Sequence, residues 1–115
     1  MGIGAYEIPS LRFSLPAGDD VERFRFVAVD SDGAGIQATA SDVIIGASMN
    51  QAAEGEVLEV ADGIVIIEAS AAIDAGAMVV SDANGKAAAA GEGGSSAIIA
   101  LTAASAAGEF ITVKI

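Results

Sequence analysis

Hydrophobic and polar residues alternate in short runs along this chain. From Ser10 to Leu15, Leu11, Phe13 and Leu15 fall on one side and Arg12 and Ser14 on the other, the period-2 signature of a strand with one face covered. From Val21 to Asp30, Phe24, Phe26 and Ala28 oppose Arg23, Arg25, Val27 and Val29; the aromatic and β-branched content again favours a strand. Further short strands are predicted over 36–40, 43–49, 56–60, 64–68, 77–81, 86–90, 96–101 and 109–115. The punctuation between them is turn chemistry: Pro16-Ala17-Gly18-Asp19-Asp20, Asp30-Ser31-Asp32-Gly33, Ala61-Asp62-Gly63, Asp82-Ala83-Asn84-Gly85 and Gly91-Glu92-Gly93-Gly94-Ser95.

Two stretches follow one plan. Residues 44–60 and 97–113 each read as an apolar strand, a small-residue connection, a Gly-Glu turn (Gly55-Glu56, Gly108-Glu109) and a second alternating strand. A duplicated strand-turn-strand inside one domain is the economical reading. The alanine-rich pieces Ala69–Ile73 and Thr102–Ala107 have high helix propensity but lack an amphipathic repeat and caps, so they predict short helical turns at most. The expected fold is all-β: a small compact β-barrel or barrel-like sandwich. Residues 1–15 are expected to form an extended arm and first strand, and residues 16–115 a single body. Pro9 biases Ile8 toward extended backbone and removes a ladder donor.

The composition makes the core lean. Alanine occurs 26 times and glycine 14, whereas Phe13, Phe24, Phe26, Phe110 and Tyr6 are the only aromatics. At roughly 25 cal/mol per Å² of apolar surface buried, such a core gains from packing against neighbours. Sixteen acids against five bases give a formal net charge of −11, which disfavours a polyanionic nucleic-acid partner because that contact depends on a positive patch. Three of the bases, Arg12, Arg23 and Arg25, lie in the first quarter, the segment suited to an acidic partner or an acidic part of a sister subunit. The start carries no basic stretch followed by an apolar one, so no secretory signal is expected. The chargeless run from Gly93 to Gly108 falls short of the roughly 20 residues a membrane span needs.

Cysteine and histidine are both absent, which removes disulfides, thiol nucleophiles, imidazole bases and tetrahedral zinc sites from consideration. Asp30, Asp32 and Gly33 resemble the opening of a calcium loop, but no third acid follows at the required spacing and no glutamate stands at its end; a turn is the expectation. Glu54, Glu56 and Glu59 read as solvated edge charges, since no aromatic sugar platform accompanies them. Neither Gly33-Ala34-Gly35 nor Gly91-Glu92-Gly93-Gly94 continues into a phosphate loop or dinucleotide fingerprint. The segment 63–69 has the outline of a lysine-presenting hairpin of carrier domains but contains no lysine. No catalytic residue, metal or cofactor is expected.

Six elements occur in a fixed order from Phe24 to Ile115: Gly46-Ala47; the run Ala53 to Val60; Asp62-Gly63-Ile64-Val65; the run Ile73 to Val80; Asp82-Ala83-Asn84-Gly85-Lys86; and the run Ala107 to Val113. In this order the chain resembles the small β-rich capsid decoration, or cement, proteins of tailed bacteriophages. The resemblance implies a compact barrel with an additional N-terminal segment, often trimeric, bound to the major capsid protein lattice on the outside of the head after assembly in the host cytoplasm. It implies a mechanical role, with no enzyme activity and no nucleic-acid or membrane partner. Ile3, Tyr6, Ile8, Leu11 and Phe13 are expected to fill pockets on the capsid or a sister subunit, and Arg12, Arg23 and Arg25 to pair with acids there or to offset the chain's own. A tail, baseplate or bacterial surface-layer subunit is the alternative, and a carbohydrate-binding module a weaker one.

Overall fold

The computed structural model describes residues 4–91 and 96–115, so Ile3 and most of the Gly91–Ser95 connection lie outside the described residues. Nine strands form: β1 (Ile8–Pro16), β2 (Phe26–Val29), β3 (Gly35–Gln37), β4 (Gly46–Ser48), β5 (Val57–Glu68), β6 (Val79–Ser81), β7 (Ala87–Ala89), β8 (Ile99–Ala100) and β9 (Phe110–Lys114). The main sheet runs β3-β2-β4-β5-β9-β8, and β6 and β7 make a second, two-stranded sheet. All ladders are antiparallel. Along one edge β5 pairs first with β4 and then with β9; along the other it pairs with β1, so that Ala61 faces both Ala47 and Arg12, and Ile64 faces both Lys114 and Ile8.

The molecule is two copies of one five-strand unit that share β5. The β2–β3 pairs Val27↔Gln37, Ala28↔Ile36 and Val29↔Gly35 recur 52 positions on as Val79↔Ala89, Val80↔Ala88 and Ser81↔Ala87 in β6–β7. The Phe26↔Ala47 pair recurs as the Met78↔Ile99 bridge, Val21↔Ala52 as Ile73↔Ala104, and the parallel bridge Ala17↔Gly35 as Ala69↔Ala87. Beyond Ala104 the offset becomes 53, because the turn from Ala104 to Gly108 is one residue longer than that from Ala52 to Gly55. The first unit is therefore β1-β2-β3-β4-β5 and the second β5-β6-β7-β8-β9, with β5 serving as last strand of one and first strand of the other.

The turns repeat as closely as the ladders. Asp30 Oδ1 accepts hydrogen bonds from the amides of Asp32 and Ala34 at 2.9 and 3.0 Å, and Asp82 Oδ1 accepts from Asn84 and Lys86 at 2.8 Å each. Gly33 and Gly85 follow at φ of 83° and 77°. Each aspartate uses its carboxylate to close its own turn, which is why the Asp30–Gly33 stretch has turn rather than calcium-loop geometry. Gly55 and Gly108 also correspond, at φ of 85° and 89°. In the second of these turns the side chain and then the amide of Ser105 hydrogen-bond to Glu109, holding its carboxyl below the ordinary range.

Each unit buries an equivalent interior. In the first, Phe13, Leu15, Ala17, Val21, Val27, Ala52, Leu58 and Val60 pack together. Their counterparts Val65, Ile67, Ala69, Ile73, Val79, Ala104, Ile111 and Val113 lie in a larger cluster that also contains Phe26, Ala28, Ala47, Ala61 and Ile98 from the seam between units. Neither sheet closes into a barrel, so the barrel form of the expectation gives way to a sandwich-like all-β fold. Apart from the two long ladders that β5 makes with β1 and β9, the ladders hold only two or three residue pairs, too short to wrap an interior continuously, and a lone parallel bridge in each unit draws the ends together without extending the ladder. No helix occurs among the described residues. The two alanine-rich pieces instead meet each other, with Ile73 and Ala104 exchanging two hydrogen bonds of 2.9 Å, and this pairing overrides helix propensity.

Two features fix the junction. Gly63, at φ of 93°, turns β5 from one unit into the next, opposite the register shift between Pro9 and Leu11. A Cβ there would stand 2.7 Å from Ser10 Oγ and 2.8 Å from Ser10 N. At the C-terminal end of β5 a charge network crosses the seam: Arg25 pairs with Glu22 and, at 3.1 Å, with Glu68, while Lys86 reaches the other Glu68 oxygen at 3.1 Å. Arg25 is buried, with Nε lacking a partner among the described residues. Desolvation raises the Glu68 pKa, but Lys86 and Arg25 together outweigh it, and the carboxyl ends below its ordinary value.

Gly63→Ala is expected to cost about 1–3 kcal/mol from its backbone conformation alone, with more from the Ser10 contact, read as a lowered denaturation midpoint. Glu68→Gln removes charge-assisted hydrogen bonds worth about 1.5–3 kcal/mol each and should lower the melting temperature. Because the folded pKa of Glu68 is depressed, its stabilisation is present above the unfolded carboxylate pKa and is lost as pH falls through the lower folded value. Thermal melts from neutral to acid pH should therefore converge for the wild type and Glu68→Gln at the acid end.

Candidate interaction surface

Side chains proposed for contact divide by strand geometry. On β1, Phe13 and Leu15 turn inward onto the first unit's interior, whereas Ile8 and Leu11 remain 61% and 56% exposed. Leu11 shares the alternation of Phe13 and Leu15 but pairs with Asp62, beyond the buried Val60 and Leu58 that face those two, so it has no interior to enter. Arg12 also faces outward, 2.9 Å from Glu59, with both side chains about half-exposed; such a surface pair contributes about 0–1 kcal/mol. Tyr6 is anchored through its backbone: its amide donates to Thr112 Oγ1 at 2.6 Å, and that hydroxyl donates back to the Tyr6 carbonyl. Its residue surface is still 38% exposed.

The three arginines have separate environments. Arg12 lies on the surface of β1, Arg25 is held inside the seam by Glu22 and Glu68, and Arg23 is exposed with its guanidinium 4.6 Å from the Phe24 ring centroid. Phe24 in turn packs on Phe110, centroids 4.8 Å apart and planes tilted by 60°. Phe110 is 47% exposed. It begins β9, whose central residues Ile111, Thr112 and Val113 are all buried while Phe110 and Lys114 at its ends are exposed. Val57, the residue corresponding to Phe110 in the first unit, is 66% exposed.

Phe24 carries a conformation that sequence could not reveal. Its φ of 65° is the one positive value among the described non-glycine residues, and its counterpart in the second unit is Gly76 at 86°. The backbone is fixed on both sides, with the Phe24 amide donating to Ser48 O and its carbonyl accepting from Glu68 N. A side chain in this region costs about 1–3 kcal/mol, which the surrounding hydrogen bonds hold in place.

The acids singled out earlier are used locally. Glu56 accepts from the Ala53 amide at 2.7 Å, Glu59 pairs with Arg12, and the Glu54 amide donates to Asp20 at 3.0 Å. Among the described residues no three acids converge on a metal position, and no helix is long and apolar enough to cross a membrane. The surface depressions are open; the most apolar, lined by Ile44, Val80, Ile98 and Ile115 with Asp42 at its margin, sits on the seam between units. It offers aliphatic surface rather than paired proton donors and acceptors.

Comparison with curated protein sequences finds no match. Among solved structures, the crystal structure of the N base of the head fiber gp8.5 of bacteriophage phi29 superimposes with a TM-score of 0.76 over 91% of this chain and 92% of that one, at 17% identity. At that identity the similarity concerns the fold. A family model for phage cement proteins matches residues 6–115, which takes in the whole of both five-strand units. The chain belongs to the phage cement protein family, whose members are structural proteins of the virion capsid, and its role is to decorate and stabilise that shell.

Proposed function

We propose that this cement protein binds the outer surface of the head without catalysing a reaction, bridges neighbouring major capsid protein subunits and acts as a trimer. The contact we assign to the shell is the outward side of the N-terminal segment and β1: Tyr6, Ile8, Leu11 and Arg12. The observation that carries this reading is an edge strand, paired on one side to β5, that leaves Ile8 and Leu11 more than half exposed. Two aliphatic side chains on a strand edge suit docking into pockets beside main-chain hydrogen bonding. Ile3 lies just before this segment, outside the described residues. Phe13 supports the strand from beneath, and Arg25 supports it only indirectly by holding the seam.

The mechanism is linkage. A protein that binds the assembled shell and not its separated subunits stabilises the assembly by mass action, and many copies, each contributing a modest contact, multiply that effect when linked as oligomers. The body supplies rigidity and β1 the adhesive surface, so assembly in the host cytoplasm needs only a finished shell and folded cement protein. An acidic surface with formal net charge −11 keeps the free protein away from packaged DNA.

Full burial of an isoleucine or leucine side chain is worth about 1.5–3 kcal/mol. The double variant Ile8→Ser/Leu11→Ser should therefore bind purified heads at least tenfold more weakly, at 1.4 kcal/mol per tenfold, while keeping its far-ultraviolet spectrum and melting temperature. Co-sedimentation with heads measures this; undiminished binding would remove β1 as the contact. Arg12→Ala should weaken head binding less than the double variant does, because the guanidinium already shares its charge with Glu59 of its own chain. In cryo-EM maps the added density should stand outside the shell at capsomer junctions, and tail-only density would favour the tail or baseplate reading.

A further inference from the structure

We infer that Arg23, Phe24 and Phe110 form the face through which this chain contacts a second copy of itself, the Arg23 guanidinium receiving a carboxylate of the neighbour while the two rings cover its apolar side. The inference rests on the self-association proposed above and says where it occurs. Of the five bases, Arg12, Arg25 and Lys86 are each paired to an acid of their own chain. Arg23 and Lys114 make no ion pair with a described acid. Arg23 lies over Phe24, and Phe24 lies against Phe110, the first residue of β9. A cation that pairs with no described acid thus sits on a partly exposed aromatic pair of an otherwise acidic molecule.

That arrangement suits a specific occupant. The second copy carries sixteen acids, so its surface supplies the complementary charge. An arginine pre-oriented by stacking keeps its outer N–H groups directed at an incoming carboxylate. Aromatic and arginine side chains are the residue types that concentrate binding energy in protein interfaces.

The duplication gives an independent argument. At the corresponding place in the second unit the chain has Gly76, which adopts the left-handed backbone freely. The first unit keeps a phenylalanine at 65° in the same hydrogen-bonded frame. A glycine would satisfy the fold there, so the ring is retained for what it does at the surface.

Sedimentation equilibrium of the full chain across a concentration series, at low and high salt, tests the proposal. The wild type should self-associate, more weakly at high salt. Arg23→Glu should weaken association at least tenfold and Arg23→Lys by less, both with unchanged melting temperature. Phe24→Gly should weaken association at least tenfold while the melting temperature holds or rises, because the backbone constraint is relieved. Wild type that remains monomeric overturns both the trimer and this face. Self-association that survives Arg23→Glu or Phe24→Gly at wild-type strength overturns the face alone, whichever way the melting temperature of Phe24→Gly moves. Head binding by the same variants, measured separately, reports on the β1 contact.

Discussion

The long strand β5 is the constraint from which the architecture follows. It pairs with β4 and β9 in succession along one edge and with β1 along the other, so it takes part in the ladders of both units. A strand shared in this way cannot run straight, because its two halves close two different interiors. Gly63 supplies the turn, and its backbone leaves no room for a side chain beside Ser10. The bulge in β1 is the matching irregularity on the facing strand. Leu11, the first residue of the regular register, pairs with Asp62 next to this turn and stays exposed, whereas Phe13 pairs with Val60 and packs inward.

Duplication explains how so lean a composition holds two interiors together. Both units rely on the same ladders and turn carboxylates, and the second accepts alanine where the first has larger groups, as at Ala88 and Ala89, which correspond to Ile36 and Gln37. What distinguishes the units is concentrated at their junction. Phe26 accepts the carbonyl of Gly85 as partner for its amide, and the Arg25, Glu68 and Lys86 charges meet next to that contact. Burial of Arg25 would be costly without both carboxylates. Its value is positional, since the network has the correct geometry only when the β6–β7 turn is docked on the first unit.

Much of the fold was legible in the sequence, because alternation and turn residues are local. Asp30 to Gly33 and Asp82 to Gly85 were recognisable as turns from their side-chain chemistry alone, whereas Asp62-Gly63, expected to close a hairpin between strands 56–60 and 64–68, lies inside the single strand β5, which bends at Gly63 without reversing. The similarity of 44–60 to 97–113 caught the last two strands of each unit, where Gly-Glu turns and bulky aliphatics survive in both copies. The rest of the duplication was hidden: β7 is Ala-Ala-Ala where β3 is Gly-Ile-Gln, and hydrogen-bond registers persist without any sequence likeness. The choice between a barrel and a barrel-like sandwich stayed open because a strand list carries no information on how far ladders extend around an interior. Among the contact residues, the outward positions of Ile8 and Arg12 were consistent with pattern, but Leu11 is exposed although alternation groups it with Phe13, and the burial of Arg25 depends on Glu68, distant in sequence, as well as on nearby Glu22. Phe24 could not be distinguished at all, since nothing in the letters marks a positive φ at phenylalanine.

For a cement protein the division between interior and surface carries the function. A body stabilised chiefly by backbone ladders and small side chains can leave several of its few large apolar groups outside, where Ile8, Leu11 and Phe110 are exposed. Exposed apolar surface on a free protein invites nonspecific association, and the acidic charge opposes it by mutual repulsion. The same repulsion would oppose a useful oligomer unless some positive charge is kept available at the contact. Arg25 and Lys86 are engaged at the seam by acids of their own chain, and in the proposed self-contact it is Arg23, stacked at the surface, that supplies positive charge between copies.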